Sequence, residues 1–306
     1  MEYVLVGGGN RATVPLSYFQ MGTRPSNNPP WYVNNAVSAS GNGKSWKYAF
    51  KTIAEAAAVA SAGDTICIYG DGTTTNAYVE TVTPLVAGLN FIGCGAQPNS
   101  VIWTGVTDAL AIATVVNTYV GNIRFRPASG YAGVKLTGAA NGTVIDSCRF
   151  QGTTGSKYGI QSDGHQSGVY VKGSHFVYFN AATCYGMYCP IDAGVAENAS
   201  WEVIGNIFHS NTYHIKGNFR YSIIKGNTLS GYGLLSSGSQ GAPTKCIDFT
   251  PGSGSVGNNT VTQNTLGGDY STALYVPSNA NEDWMGNFAY HATTAPNGLS
   301  IAVPAA

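Results

Sequence analysis

The chain has 306 residues, 10% of them charged and 43% hydrophobic, with 40 Gly, 19 Tyr and a formal net charge of +0. That apolar content excludes a disordered composition, and neutrality does not suit nucleic acid or an anionic membrane surface as the main partner. The surface must be built from Ser, Thr, Asn, Gly and Tyr rather than ion pairs, which suits close protein contacts or carbohydrate.

Residues 1–30 stand apart, with GGGN at 7–10 and RPSNNPP at 24–30. Such a segment cannot make a core of its own. Its apolar and aromatic residues, among them Tyr3, Leu5, Leu16, Tyr18 and Phe19, mark it as an extended arm that anchors the chain to a partner. The opening MEYVLVGGGNRATVPL has no basic n-region and too little apolar length for a signal peptide. No apolar run approaches the roughly 18 residues of a membrane span. The expectation is a chain without export signal, membrane span or membrane partner.

From Trp31 the pattern changes to a short strand, a Gly-rich loop, a helix and a second strand. The helix is expected over about 46–61, with Ala49, Phe50, Ile53, Ala57 and Ala60 on one face, Ser45 as N-cap and Gly63 just past the end. It would cover the apolar end of the first coil of strands. The loop SGNGKS (40–45) is not a phosphate loop, because the leading Gly of G-x4-G-K-S would fall on Ser38. Strands then read as TICIY (65–69), VETVT (79–83), LNFIG (89–93) and SVIWTG (100–105).

Between Val120 and Tyr290 one motif recurs: VGNIRF, IDSCRF, VKGSHF, VIGNIF, IKGNTL, VTQNTL and WMGNFA. Its lead residues are Val120, Ile145, Val171, Val203, Ile224, Val261 and Trp284, 21 to 37 residues apart. A period in that range marks a stacked solenoid. A second apolar column lies five residues on: Phe125, Phe150, Phe176, Phe208, Leu229, Leu266 and Ala289. Five positions apart on a straight strand point to opposite faces, so both columns face inward only if the chain bends between them, at the Gly-Asn pair. The position before the spacer holds Ile123, Cys148, Ser174, Asn206, Asn227, Asn264 and Asn287. Stacked about 4.8 Å apart, those Asn side chains should form an amide ladder.

The passages YVNNAVSASGNGKSWKYAFKTIAEAAAVASAGDTICIY, YVETVT and LNFIGCG, with Asn-containing turns after them, resemble the pectate-lyase-like superfamily of right-handed parallel β-helices. The resemblance covers 31–290. It implies an all-β solenoid with an N-terminal capping helix, preceded by the arm of 1–30 and followed by a tail at 291–306. The superfamily holds lyases, hydrolases, phage tailspikes and inert virion proteins, so the fold does not choose the chemistry. The lyases' calcium-binding Asp groups and Arg-centred motif have no matching run here, and no catalytic residue carries over.

Polysaccharide cleavage needs two or three carboxylates together, or carboxylates holding calcium beside a base. Among Asp146, Asp163, Asp192, Glu197, Glu202, Asp248 and Asp269 no D-x-D, D-D or E-x-D cluster appears. The best assembly across coils is Asp163 with His165, one coil from Asp146 and near Arg149 and His175; the alternative for Asp163 is an Asx-turn. Arg124, Arg149 and His175 share the outward column beside the second apolar one, where stacked cations can bind an anionic sugar or pair with neighbouring carboxylates. The six Cys are scattered, apart from CYGMYC at 184–189, and suit small buried hydrophobes rather than a metal site. No metal or cofactor is expected.

Tyr158, Tyr170, Tyr178, Phe179, Tyr185, Tyr188, Tyr213, Tyr221 and Tyr232 crowd the middle coils. Tyr178, Tyr185 and Tyr188 are the binding candidates among them, and subunit contact is preferred to sugar stacking because charge is scarce. Together these features lead to an expected non-enzymatic virion component. It would decorate or stabilise a phage capsid or tail as a homotrimer anchored by its arm, with surface-glycan adhesion as an added role. The alternative is a tailspike-like polysaccharide depolymerase or lyase using Asp163 and His165.

Overall fold

The computed structural model describes residues 28–95, 97–163, 166–181, 183–190, 198–230, 245–249, 257–270, 275–276 and 283–292, and the strands Tyr3–Leu5 and Ala12–Val14. Its regular structure is almost all parallel strand, in three sheets. The first runs from Trp31–Val33 to Asp283–Met285, the second from Tyr78–Val79 to Phe288–Ala292, and the third from Leu110–Ala113 to Tyr275–Val276. From Asn90–Gly93 to Tyr275–Val276 each turn of chain adds one strand to each sheet. Parallel crossovers wind right-handed, so the chain is a right-handed parallel β-helix.

Both apolar columns align as the motif requires. Val120, Ile145, Val171, Val203, Ile224, Val261 and Trp284 are neighbours along the first sheet. Phe125, Phe150, Phe176, Phe208, Leu229, Leu266 and Ala289 are neighbours along the second. The four Phe rings stack, with centroids 5.2, 4.7 and 4.4 Å apart. Each is fully buried, a contribution of about 2–3 kcal/mol per ring. Room for them comes from the third sheet: a Cβ on Gly159 would lie 2.9 Å from the Phe176 ring and 2.5 Å from the Gly186 carbonyl. The stack ends at Leu229, and the buried His214 ring lies 6.0 Å from Phe208.

Between the two columns the chain turns through one left-handed residue per coil: Asn122, Ser147, Gly173, Gly205, Gly226, Gln263 and Gly286, with φ from 52° to 64°. The next residue, Asn in the later coils, completes the bend. Oδ1 of Asn227, Asn264 and Asn287 accepts both the backbone N–H and the Nδ2–H of the Asn one coil earlier, at 2.9–3.0 Å. Each Nδ2 also donates to a carbonyl of the preceding coil's lead residue. Ser174 continues the ladder by accepting the Cys148 N–H. The six Cys are buried free thiols.

Three expectations need correction. The helix is not continuous over 46–61: Ser45 caps a short 3-10 turn, Trp46–Tyr48, and the α-helix is Ile53–Val59. A capping box of Thr52 and Glu55 starts it, because Phe50 pairs as a bridge with Val33 and interrupts the turn sequence. The helix still packs its Ile53, Ala56 and Ala57 onto the core. The strand expected over 79–83 shrinks to Tyr78–Val79, and the last strand of the second sheet reaches Ala292 rather than stopping at Tyr290. Within the arm, Tyr3–Leu5 and Ala12–Val14 pair antiparallel. Leu16, Tyr18, Phe19 and the tail 293–306 lie outside the described residues.

The ladder makes a direct prediction. Asn264→Ala strips partners from Asn227 N, Asn227 Nδ2 and Ile224 O. It should cost about 3 kcal/mol or more in denaturant unfolding. Ser230→Ala removes a single 3.5 Å contact and should change stability by less than about 0.5 kcal/mol.

Candidate functional site

Alternation along the second sheet sets two columns on the side away from the Phe stack, with Ile102 and Val177 buried and the remaining members partly or fully exposed. The first runs Ile102, Arg124, Arg149, His175, Ile207 and Thr228. The second runs Gln151, Val177, His209 and Ser230, with Arg126 one residue beyond the strand Ile123–Phe125 and in line with Gln151. Neither column contains a carboxylate, and among the described residues no ion pair reaches these arginines. Five basic side chains from four successive rungs therefore share one face. The imidazoles of His175 and His209 lie 5.1 Å apart, and Tyr178 meets His209 edge-on at 5.7 Å.

Rungs spaced about 4.8 Å apart hold like charges close together. Two unit charges at that distance repel by about 1 kcal/mol in bulk water and several times more where water is partly excluded. The titration behaviour reflects this. Burial, then Arg149 and Arg126, lowers the Arg124 pKa from its usual value. Burial, then His209 and Arg149, lowers that of His175 to about 4. His209 is lowered by burial and by Arg149. Nε of Arg124, Arg126 and Arg149 and Nε2 of His175 are shielded from solvent without a hydrogen-bond partner.

The third sheet carries a different cluster. Tyr158, Tyr185 and Tyr213 are neighbours along it, and Tyr188 folds beside them, 4.5 Å from Tyr185 and 5.1 Å from Tyr158. These rings face one another along the rod, with Tyr158 buried and Tyr185, Tyr188 and Tyr213 half-buried. Burial, with Tyr188, Tyr213 and Tyr158 around it, pushes the Tyr185 pKa up to about 12 and keeps its hydroxyl protonated. The rim is charged and paired: Lys216 and Lys245 bind Asp248 at 3.2 and 3.7 Å, and Lys135 lies 3.7 Å from Asp108.

The assembly expected of Asp163, Asp146, Arg149 and His175 does not form, because the residues lie on three different sheets. Asp146 is on the first, bonded to Tyr119 and Ser147 and 3.6 Å from Lys172. Arg149 and His175 are on the second. Asp163 comes just after the third-sheet strand Tyr158–Ser162 and is exposed; His165 lies outside the described residues. Asp108 enters the third sheet at one edge while Asp163 leaves it at the other, and Asp248 is held by two lysines. No three His, Cys, Asp or Glu gather as a metal site among the described residues.

The aromatic candidates also separate. Tyr178 belongs with the cations of the second sheet, Tyr185 and Tyr188 with the third, and Phe179 is in the core. Sequence reasoning missed Arg126 and His209, and named Tyr158 and Tyr213 among the crowded aromatics without making them binding candidates. The register held the signal for His209, which is one position past the Phe208 of its motif. No helix is long and apolar enough to cross a membrane among the described residues.

No family model matches the sequence, and no curated protein matches it. Among solved structures it is similar to the GH136 lacto-N-biosidase of Eubacterium ramulus, with a TM-score of 0.54 at 9% identity over 89% of this chain. The chain spans 58% of that protein's length. A pectin methylesterase of Aspergillus niger gives 0.45 at 11% identity over 86% of each chain. An alginate lyase of a Paenibacillus species gives 0.44 at 13%, over 78% of this chain and 93% of its own. At such identities the likeness is one of fold, the parallel β-helix.

The histidines give a test in pH. Burial lowers His214 to about 3, and His175 is held near 4, against an ordinary 6.5. Both are neutral when folded, while the unfolded chain takes up protons below about 6.5, so their stability is complete above that pH and is lost as pH falls toward 4. The melting temperature should drop from pH 7 to pH 4, with a shallower slope in His175→Asn. Equal slopes would mean that His175 has an ordinary pKa in the folded chain.

Proposed function

We propose that the protein works by contact rather than by turnover: a β-helical structural rod of a virus particle, decorating or stabilising a capsid or tail. The observation that carries this reading is the tyrosine ladder. Four rings are locked by mutual stacking, and the half-buried Tyr185, Tyr188 and Tyr213 offer contact surface without further loss of side-chain freedom, the property that makes Tyr effective in interfaces. The dispersal of Asp108, Asp146, Asp163 and Asp248, three of them paired with lysine, also supports it. The occupant of the ladder is a second copy of the chain, in a threefold assembly, and residues 1–30 are the anchor. The resemblance to virion members of the β-helix superfamily and the low charge support that placement.

Light scattering on the purified protein tests the assembly. A trimer is expected, and Tyr185→Ala with Tyr188→Ala should weaken association by roughly tenfold or more, since each aromatic contact is worth about 0.5–1.5 kcal/mol beyond its area. A monomeric wild type overturns the ladder's role. Copurification with particles, lost after proteolysis of 1–30, tests the placement. Release of reducing ends or unsaturated uronates from a glycan panel, abolished by Asp163→Asn, would replace this reading with the depolymerase.

A further inference from the structure

The cationic face of the second sheet is the feature that the rod does not need. Like side chains repeat from rung to rung throughout this fold, and elsewhere the repetition is favourable: Phe on Phe, Asn on Asn, Tyr on Tyr. Arg124 directly beside Arg149, with Arg126, His175 and His209 around them, is the unfavourable case. No acidic side chain in either outward column relieves it. Asp108, Asp146 and Asp248, by contrast, are each matched to a lysine on another sheet. The shielded Nε–H groups of the three arginines and Nε2 of His175 have no partner. Clustered guanidinium groups with no acidic neighbour in either column suit an anionic ligand.

We propose that this face binds a polysaccharide carrying tetrahedral oxyanions, as ester sulfate or phosphate, with Arg124, Arg126 and Arg149 as the principal ligands and His175 and His209 closing the lower end. The geometry selects the anion. Arg124 and Arg149 stand one rung apart, about 4.8 Å, and each guanidinium is a planar fork of donors. A carboxylate has two oxygens and is satisfied by one fork. A sulfate or phosphate ester projects further oxygens in a second direction and bridges two forks on adjacent rungs. The three arginines occupy two successive rungs and the imidazoles of His175 and His209 the next two, so the ligand lies along the rod with its anionic groups at the arginines. Tyr178, exposed and edge-on to His209, borders the path and offers a sugar a ring and a hydroxyl. The site is separate from the tyrosine ladder and rests on nothing said of assembly or of the particle.

Dextran derivatives isolate the anion, because the backbone is constant. Calorimetric titration of the full chain with dextran sulfate, dextran phosphate, carboxymethyl dextran of matched charge and plain dextran should show the sulfate and phosphate polymers bound at least tenfold more tightly than the carboxymethyl polymer. Plain dextran should not bind. The sulfate and phosphate arms identify which ester is preferred. Salt should weaken the interaction steeply, and Arg124→Gln with Arg149→Gln should lower affinity at least thirtyfold, while Lys135→Gln on the third sheet should not. Arg126→Gln, outside the strand and half-exposed, gives a second reading should the double variant fail to fold. Equal binding of carboxymethyl dextran overturns the choice of anion, and tighter binding of an oligothymidylate overturns the choice of a glycan. Unchanged affinity in folded arginine variants overturns the site.

Discussion

The bend between the first and second sheets is the constraint on which everything else depends. Two apolar residues five positions apart cannot both face a core from a straight strand. A left-handed residue followed by a buried, bonded Asn turns the chain so that they do. In the later coils the Asn amides secure the bend to the coils before and after, through Asn206, Asn227, Asn264 and Asn287. In the earlier ones Ser174 does part of the work, and Asn122 occupies the left-handed position itself, donating to the Gly93 carbonyl. Gly is not obligatory there: Ser147 and Gln263 take the same conformation. Their strain is offset by the rest of the turn.

Once the bend is made, the rung spacing repeats each side chain's surroundings every 4.8 Å or so, and the chemistry of a column depends on whether its members tolerate their own kind. Phenylalanine rings stack, amides donate and accept in turn, and tyrosines fit face to face. Guanidinium groups do not, which is why the outer face of the second sheet stands out against an otherwise self-satisfied rod. Lysine and aspartate on the other sheets are arranged across rungs in opposite-charge pairs, such as Lys216 with Asp248. The contrast between those pairs and the unpaired arginines separates a surface that holds the rod together from one directed at something else.

Much of the fold was legible because the motif is local. Lead column, closing column and Asn ladder all sit within six residues, so their register could be read from the sequence. The columns also continue upward, through Phe91 and Ile66 in the first sheet and Trp103 and Tyr78 in the second. There the two columns are twelve residues apart, because a longer loop replaces the bend, and the period vanishes from view. The site was less legible for a related reason. Arg124, Arg149 and His175 belong to the motif and could be aligned. Asp146 and Asp163 appeared close only because the coil number was counted without the sheet each belongs to.

The sequence by itself determined that this is a parallel β-helix with a helix near its start, and which residues share a column, since short-range periodicity encodes both. A second side-chain ladder, Trp201 to Ser222 to Asn259, was encoded two positions before the lead residues but is visible only once the register is known. The tertiary structure alone decided which column lies on which face, that carboxylates close in coil count lie on different sheets, and that the arginines have no acidic partner among the described residues. Those are properties of distances around the cross-section of the rod. They depend on loop lengths and corner geometry, which no linear pattern records.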